Sequence, residues 1–198
     1  MNENLVFNEK LIDAAKNLVP MILENVERID SDCQLPPDLA AAMAKENLLG
    51  LYVPKYLGGP ESDPITAFHV VEEISKADGS AGWCSFNGSA ITAATAWLPV
   101  DAAKEMFGDP PHVSGSGSAR PGGVAKVTDG GFLVSGRWNY LSGGDHATWL
   151  FLNCGRIDDN GPIIADDGNQ KTRVAVVPTK AGTVHLTWST WGMRGTAS

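Results

Sequence analysis

The sequence lacks the features that mark secreted and membrane proteins. Its three cysteines, Cys33, Cys84 and Cys154, are far apart and form no Cys-x-x-Cys pair, which argues against a disulfide framework or a zinc knuckle. No apolar run approaches the roughly 20 residues that span a bilayer, and the N-terminus has no basic segment followed by an apolar one. These absences predict a cytoplasmic protein with reduced thiols.

Positive charge is also scarce. The 198 residues carry 15 lysines and arginines against 23 aspartates and glutamates, for a formal net charge of -8. Such a chain repels phosphate backbones and anionic lipid, so we expect neither a nucleic acid nor a membrane surface as a partner. Because 43% of the residues are hydrophobic, the chain can bury a core. A small-molecule substrate is the expected partner.

The common catalytic motifs are missing as well. The sequence contains no P-loop, no His-Glu-x-x-His, no Gly-x-Ser-x-Gly and no Gly-x-Gly-x-x-Gly between a strand and a helix. The histidines are scattered, His112 and His185 have no partner in view, and the aspartates of residues 158–167 lack the Asp-x-Asp-x-Asp-Gly order of a calcium loop. The sequence therefore predicts no metal site.

Residues 1–110 have apolar side chains at helical spacing, which predicts an all-helical N-terminal domain. The first amphipathic helix should run from about residue 11 to residue 29 with a kink at Pro20. Further helices are predicted at 36–46, at 65–76 after the capping segment Ser62-Asp63-Pro64, and at 99–107, closed by residues 108–111. No charged side chain occurs from Ser80 to Leu98, so a helix there would be buried on nearly all sides.

Residues 111–198 have a different pattern, in which short runs rich in valine, aromatic residues and threonine alternate with turn residues. This pattern predicts an antiparallel β domain, either barrel-like or a sandwich, and therefore an α+β fold class. A hairpin is expected from 124–127 and 132–136 around Asp129-Gly130. The other predicted elements are strands at 136–144, 148–153, 172–177 and 183–186 and a surface loop over 158–171.

Three short segments carry candidate site residues. The run Ser-Gly-Ser-Gly-Ser at 114–118 resembles a glycine-rich loop whose N–H groups hold a pyrophosphate, or it is a plain turn. Trp138, Tyr140 and Ser142 alternate, so in a strand they share a face that either stacks a planar ring or packs into the core. Asp145-His146 is either an acid–base dyad or a surface turn, and the opposite directions of adjacent strand side chains favour the turn.

Several segments together resemble the acyl-CoA dehydrogenase superfamily. Residues 48–59 are similar to its GLLGLxVPxxxGG segment, residues 71–80 to its VxEExxxxDxS helix end, residues 136–144 to its GxKxWITNG strand, and residues 191–198 to its GxRGTxS turn. Residues 113–118 fall where that family has its TEPxxGSD flavin loop, although the Glu-Pro pair is absent. The resemblance covers nearly the whole chain.

This resemblance implies a helical domain, a central β domain and a C-terminal four-helix bundle around a flavin, with the present chain ending before the bundle. The flavin would be FAD or FMN, and the protein a homo-oligomer. By position, Tyr140 would stack on the flavin ring and Ser142 would bond near flavin N5. The other implied flavin contacts are Ser116, Gly117, Ser118 and Leu141.

Trp83 and the segment 142–147 look more like the flavin-dependent hydroxylase branch of this superfamily. Its members use reduced flavin and oxygen on aromatic or polycyclic substrates, and a separate reductase supplies the flavin. Trp83 would then contact the substrate. Two alternatives stay open: an acyl-CoA dehydrogenase that oxidises an acyl thioester at its α,β carbons, and a truncated, catalytically silent flavin- or partner-binding module. No catalytic residue is assigned, because the family's base and histidine belong to the bundle.

Overall fold

The computed structural model describes residues 7–107 and 114–198. Helices occupy the first range and a sheet occupies much of the second, which confirms the α+β class. The domain division at residues 110 and 111 stays a prediction, because this boundary, the helix end at 108–111, His112 and Val113 lie outside the described residues. The helices are α1 Glu9–Glu24, α2 Val26–Asp32, α3 Pro37–Lys45, α4 Pro64–Ala77, α5 Gly79–Thr92 and α6 Val100–Phe107.

The first predicted helix is two helices in the structure. α1 continues through Pro20, and the interruption comes at Asn25. The Asn25 side chain donates to Met21 O at 2.8 Å, while its own carbonyl accepts from Ile29 N at 2.9 Å. The Asn25 side chain thus bonds to a carbonyl in the last turn of α1 that would otherwise lack a partner within the helix. This bond allows α2 to begin directly after Asn25.

The helices pack around one apolar core. Pro64 begins α4, and the Asp63 carboxylate accepts the N–H groups of Ile65 at 3.0 Å and Thr66 at 2.9 Å, which confirms the predicted cap. The apolar faces of α1 to α4 and of the chain between α3 and α4 then meet in the interior. Their largest buried members are Ile22, Ile29, Leu35, Leu39, Met43, Leu48, Leu49, Leu51, Val70 and Ile74.

α5 is buried on one face only, so the expectation that it is buried on nearly all sides is wrong. Trp83 is 40% exposed and Phe86 lies beside it, with ring centroids 5.6 Å apart. The opposite face consists of small residues such as Ala81, Ser85 and Gly88, which allow close packing. A Cβ on Gly88 would lie 2.8 Å from Leu49 O. The missing charge on α5 therefore reflects close packing on one face and an uncovered aromatic surface on the other.

The described strands form one five-stranded sheet with the order β2-β1-β3-β4, in which β5 also pairs with β3. Their bounds are β1 Gly115–Thr128, β2 Gly131–Gly136, β3 Trp149–Asp158, β4 Gly161–Pro162 and β5 Thr172–Pro178. β1 and β2 form the predicted hairpin, with Gly130 at φ +80° in its turn. β1 and β3 are parallel, so the sheet is mixed and not antiparallel throughout. The segment 137–148 takes the chain from β2 to the other edge of β1, where β3 begins.

Four segments of this sheet region differ from the prediction. Residues 115–118, predicted as a loop, begin β1, and the predicted loop 158–171 contains β4 and a bridge from Ile164 to Gln170. Residues 137–144 and 183–186, predicted as strands, are irregular. In the first of these, Tyr140 has φ +60° and Gly143 has φ +76°, which no strand accommodates. Residues 183–186 find no ladder partner within the described ranges.

The glycines at the start of β1 are required by packing. A Cβ on Gly115 would lie 2.7 Å from Thr92 Cγ2 of α5, and one on Gly117 would lie 2.7 Å from Phe151 O of β3. The alternating serine and glycine residues therefore let α5 and β3 approach β1 closely. Among the helices that the structure describes, none is long and apolar enough to cross a membrane.

Candidate functional site

Ser142 is the point where the helical part and the sheet part of the chain meet. It lies in the run of turns at residues 142–146, between β2 and β3, and is buried. Trp83 of α5 donates its indole N–H to Ser142 Oγ at 3.0 Å. The hydroxyl of Ser198 lies 2.7 Å from the same oxygen. Two residues from distant segments, Trp83 and Ser198, thus converge on the Ser142 hydroxyl.

The backbone carbonyl of Ser142 accepts two further side chains. Ser116 Oγ donates to it at 2.9 Å, and Asn87 Nδ2 donates at 3.2 Å. Asn87 was not identified from the sequence, although its spacing of four residues from Trp83 places both on one face of α5. All the side chains that contact Ser142 in these bonds are neutral, so its environment is polar without being charged.

The last turn of the chain is held against Ser142 by its own set of bonds. Gly143 N donates to Thr196 O at 2.7 Å, and the hydroxyls of Thr196 and Ser198 are 3.0 Å apart. Gly195 N donates to Ser80 Oγ at 3.1 Å, which connects this turn to the start of α5. Residues 195–198 therefore contribute the Ser198 contact to Ser142 and connect this region to α5.

The Ser142 hydroxyl retains unused hydrogen-bonding capacity. A serine hydroxyl can donate once and accept twice. Trp83 uses one acceptor position, and the contact with Ser198 uses one more position of either kind. When Ser198 donates, the Ser142 proton is available to an acceptor such as a ring nitrogen. The Trp83–Ser142–Ser198 arrangement can thus orient one donor towards a heteroaromatic ligand.

We call the group of Ser142 and the side chains bonded around it the Ser142 cluster; its members are Trp83, Asn87, Ser116, Ser142, Thr196 and Ser198. The remaining predicted flavin contacts are not part of the Ser142 cluster. Tyr140 is 66% exposed and packs edge-on against Trp188, with centroids 6.1 Å apart. Trp138 donates its indole N–H to Asn153 O at 2.6 Å, so the prediction that Trp138, Tyr140 and Ser142 share one strand face is wrong. Leu141 packs on the apolar sheet cluster, Gly117 is covered by Phe151, and Ser118 Oγ donates to Arg120 O at 3.3 Å.

A cavity of about 420 Å³ lies next to Tyr140 and Leu141, over the apolar face of the sheet. Leu150 and Leu152 of β3 form part of its wall, and Ser198 borders it. His185, which had no predicted partner, also lines this cavity and is exposed. The space combines an apolar wall with the exposed Tyr140 ring and the edge of the Ser142 cluster.

Asp145 and His146 lie in turns, as predicted, but their side chains are mostly buried and not at the surface. Their side chains are only 13% and 9% exposed, and His146 Nδ1 lies 3.3 Å from Asp145 Oδ1. The strand geometry that argued against a pair does not apply, because both residues lie in turns. His69, by contrast, is half-exposed on α4 beside Glu72.

The cysteines do not supply a reactive group at this site. Burial raises the pKa of the Cys84 thiol strongly, with further contributions from the charges of Asp145 and Asp78. Burial also raises the pKa of Cys154. Within residues 7–107 and 114–198 no three histidine, cysteine, aspartate or glutamate side chains are grouped closely enough to hold a metal ion.

Comparison with known proteins confirms the resemblance noted in the sequence. Residues 8–105 match the family model of the acyl-CoA dehydrogenase N-terminal domain. The oxygenase subunit HsaA of a flavin-dependent monooxygenase from Mycobacterium tuberculosis is 30% identical over 190 residues, which are 96% of this chain and 46% of the relative. An indole-3-acetate monooxygenase from Pseudomonas putida is 34% identical over 170 residues, which are 85% of this chain and 41% of the relative.

Solved structures agree with these relatives. The crystal structure of the M. tuberculosis HsaA monooxygenase has a TM-score of 0.86 at 28% identity, covering 98% of this chain and 51% of that chain. XiaF from Streptomyces sp., solved with FADH2 and glycerol, has a TM-score of 0.85 at 28% identity and covers 96% of this chain and 46% of that chain. The present chain spans about half the length of the relatives it matches.

Proposed function

Starting from the membership of residues 8–105 in the acyl-CoA dehydrogenase N-terminal domain family, we propose that this chain is the flavin-facing part of a monooxygenase that hydroxylates an aromatic or polycyclic substrate. The observation that carries the proposal is the convergence of Trp83, Ser116 and Ser198 on Ser142. Relatives named as a flavin-dependent monooxygenase, an indole-3-acetate monooxygenase and a resorcinol hydroxylase support the aromatic substrate class.

The residues present fit a flavin. The Ser142 hydroxyl has capacity for one more hydrogen bond, and the exposed Tyr140 ring offers an aromatic surface two residues away. Its backbone at φ +60° is uncommon for an aromatic residue, and such strain is typical of functional sites. A bound flavin supplies the redox chemistry, while the protein orients it and excludes water.

Trp83 has two roles in this proposal. Its indole N–H fixes the Ser142 hydroxyl, and its exposed ring, together with Phe86, offers an apolar surface for a planar substrate. Ser116 holds the Ser142 carbonyl and is fully buried, so its role is to position the loop. Ser118 and Gly117 are expected to border the flavin less directly.

The flavin form and the partners are part of the same proposal. We expect FAD or FMN, and the FADH2 named for XiaF and for the Rhizobium resorcinol hydroxylase favours FAD. Some relatives are named as an oxygenase subunit or an oxygenase component, which supports the expectation that a separate reductase supplies the flavin. We also expect a homo-oligomer, which the resemblance to the family implies.

The first test is flavin binding. Titration of the chain with FAD and FMN, followed by flavin fluorescence, should show saturable binding. Ser142→Ala should weaken it about tenfold or more, because one hydrogen bond to the ligand and the order of the loop are lost. Trp83→Phe should weaken it less, since only the bond to Ser142 is removed. Ser189→Ala and Trp97→Phe, at exposed positions, are the matched controls and should bind like the wild type.

The second test separates the possible reactions. The chain is given reduced flavin, oxygen and phenolic or indolic compounds, and hydroxylated products are measured by mass spectrometry. In parallel it is given acyl-CoA substrates with an artificial electron acceptor. Oxidation of an acyl-CoA would replace the hydroxylase with the dehydrogenase, whereas saturable flavin binding without either reaction would indicate a silent binding module. Absence of flavin binding to the folded chain would refute the proposal.

A further inference from the structure

Three hydroxyl groups of the Ser142 cluster are joined in a row, and the middle one borders the cavity of about 420 Å³. Ser142 Oγ lies 2.7 Å from Ser198 Oγ, and Ser198 Oγ lies 3.0 Å from Thr196 Oγ1. Ser142 and Thr196 are buried, whereas Ser198 is only partly buried. Of the three residues, Ser198 alone lines the cavity.

The two outer hydroxyls share one acceptor. Buried hydroxyl protons in folded proteins are hydrogen-bonded, because an unmade bond is costly. The Ser142 oxygen accepts the indole N–H of Trp83, and among the described residues its proton has no acceptor other than Ser198 Oγ. The proton of Thr196 likewise has only Ser198 Oγ within the described ranges. Both protons are therefore directed at Ser198.

This arrangement determines what the Ser198 hydroxyl can offer to a ligand. A serine hydroxyl accepts twice and donates once. When Ser142 and Thr196 both donate to Ser198, its two acceptor positions are filled and its own proton remains free. Because Ser198 lines the cavity, this proton is available to a molecule bound there. The Ser198 hydroxyl is thus a donor that has no free acceptor position.

The rest of the cavity wall fits a planar ligand that accepts hydrogen bonds. Leu150, Leu152 and Val177 of the sheet supply apolar surface, and the ring of Tyr140 is exposed beside them. Arg137 also lines the cavity, and a guanidinium can only donate. No aspartate or glutamate is among the described residues that line the cavity. An apolar cavity with a few polar groups is typical of a small-molecule site.

We propose that this cavity binds a planar aromatic molecule through a hydrogen-bond acceptor that receives the proton of Ser198. Quinoline, whose ring nitrogen is an acceptor, is a small example of this class. The proposal goes beyond the flavin contact at Ser142. A ligand that accepts from Ser142 requires Ser198 to donate to Ser142, so the two arrangements exclude each other.

The test compares three bicyclic ligands in wild type and Ser198→Ala by NMR titration of the isotope-labelled chain. Quinoline has an acceptor, naphthalene has no hydrogen-bonding group, and indole has an N–H donor. Ser198→Ala should weaken quinoline binding about tenfold, because one hydrogen bond is lost. The affinities for naphthalene and indole should be unchanged, since neither ligand accepts from Ser198. Comparing the two proteins for each ligand cancels the differences in ligand hydrophobicity.

Controls separate the role of this hydroxyl from a general effect on the cavity. Ser135→Ala, which removes another hydroxyl from the cavity wall, is the matched control and should leave quinoline binding unchanged. Retained naphthalene binding shows that the cavity of Ser198→Ala is intact. Crystals of the wild type soaked in quinoline should place its nitrogen about 3 Å from Ser198 Oγ, which tests the proposal even if the variant does not fold.

Three results would overturn the proposal. They are an unchanged quinoline affinity in Ser198→Ala, a loss of indole affinity as large as that of quinoline, and a quinoline nitrogen that points away from Ser198. Addition of FAD to the quinoline-bound chain then identifies the natural occupant. Displacement of quinoline would assign the cavity to the flavin ring, and simultaneous binding would assign it to a second aromatic ligand. Flavin binding itself is measured separately, so failure of one proposal leaves the other in place.

Discussion

The helices bury most of their apolar residues, whereas the sheet leaves part of one apolar face beside a cavity. Leu39 and Ile22 belong to a core that extends through α1 to α5. In the sheet, Leu150 and Leu152 belong to a smaller buried cluster and also line the cavity of about 420 Å³. We therefore expect the helical core to contribute most of the free energy of folding. The apolar face of the sheet is covered in part by irregular segments. The Ser142 cluster lies where these two regions meet.

The largest expected effect compares the two cores directly. Leu39→Ala should lower the free energy of unfolding by about 3 to 5 kcal/mol, because it leaves a cavity in a fully buried position. Leu150→Ala should cost only about 2 kcal/mol, since that side chain already borders empty space. Urea unfolding followed by circular dichroism measures both. Equal losses would show that the sheet core is packed as tightly as the helical one.

An intermediate effect is expected at the junction between the regions. A Cβ on Gly195 would collide with Ile29 Cγ2 of α2 and lie 3.1 Å from Ser80 Cβ of α5. Gly195→Ala should therefore destabilise the chain by about 1 to 3 kcal/mol and loosen the Ser142 cluster. Gly192→Ala, where nothing lies within 4 Å, is the control and should change stability by less than about 0.5 kcal/mol. A tolerated Gly195→Ala would mean that the last turn is not tightly docked on the helices.

The smallest expected effect concerns a local contact within the helical region. Asp63→Ala removes the cap of α4 and should cost about 1 kcal/mol. Hydrogen bonds from the Thr66 hydroxyl and from backbone N–H groups lower the pKa of Asp63 below its usual value. The stability difference between wild type and variant should thus be complete above about pH 4 and disappear as the pH falls through the folded pKa. A difference that persists at lower pH would contradict this explanation, and Asp166→Ala at an exposed position controls for the lost charge.

The elements that could be predicted from the sequence are those with local signals. The Asp63 cap is set by residues within three positions, and the β1–β2 hairpin by the adjacent Asp129-Gly130 turn. The Ser-Gly-Ser-Gly-Ser run predicts a loop, but its residues 115–118 begin β1. A strand whose glycines allow a helix to pack closely has the same composition as a flexible turn, so the sequence does not distinguish them. The segment at Tyr140 was misread as a strand because side-chain alternation does not reveal a left-handed backbone.

The sequence by itself determined the α+β class, most of the helices, the hairpin and the family, because these depend on local periodicity, capping and short motifs. Only the tertiary structure decided which candidates share a site. Trp83 and Ser142 are 59 residues apart, and Ser142 and Ser198 are 56 apart, yet each pair is joined by a hydroxyl contact. The tertiary structure also decided that Asp145 and His146 are largely buried side by side. Contacts over such separations depend on how the helices and the sheet pack together, which local sequence patterns do not encode.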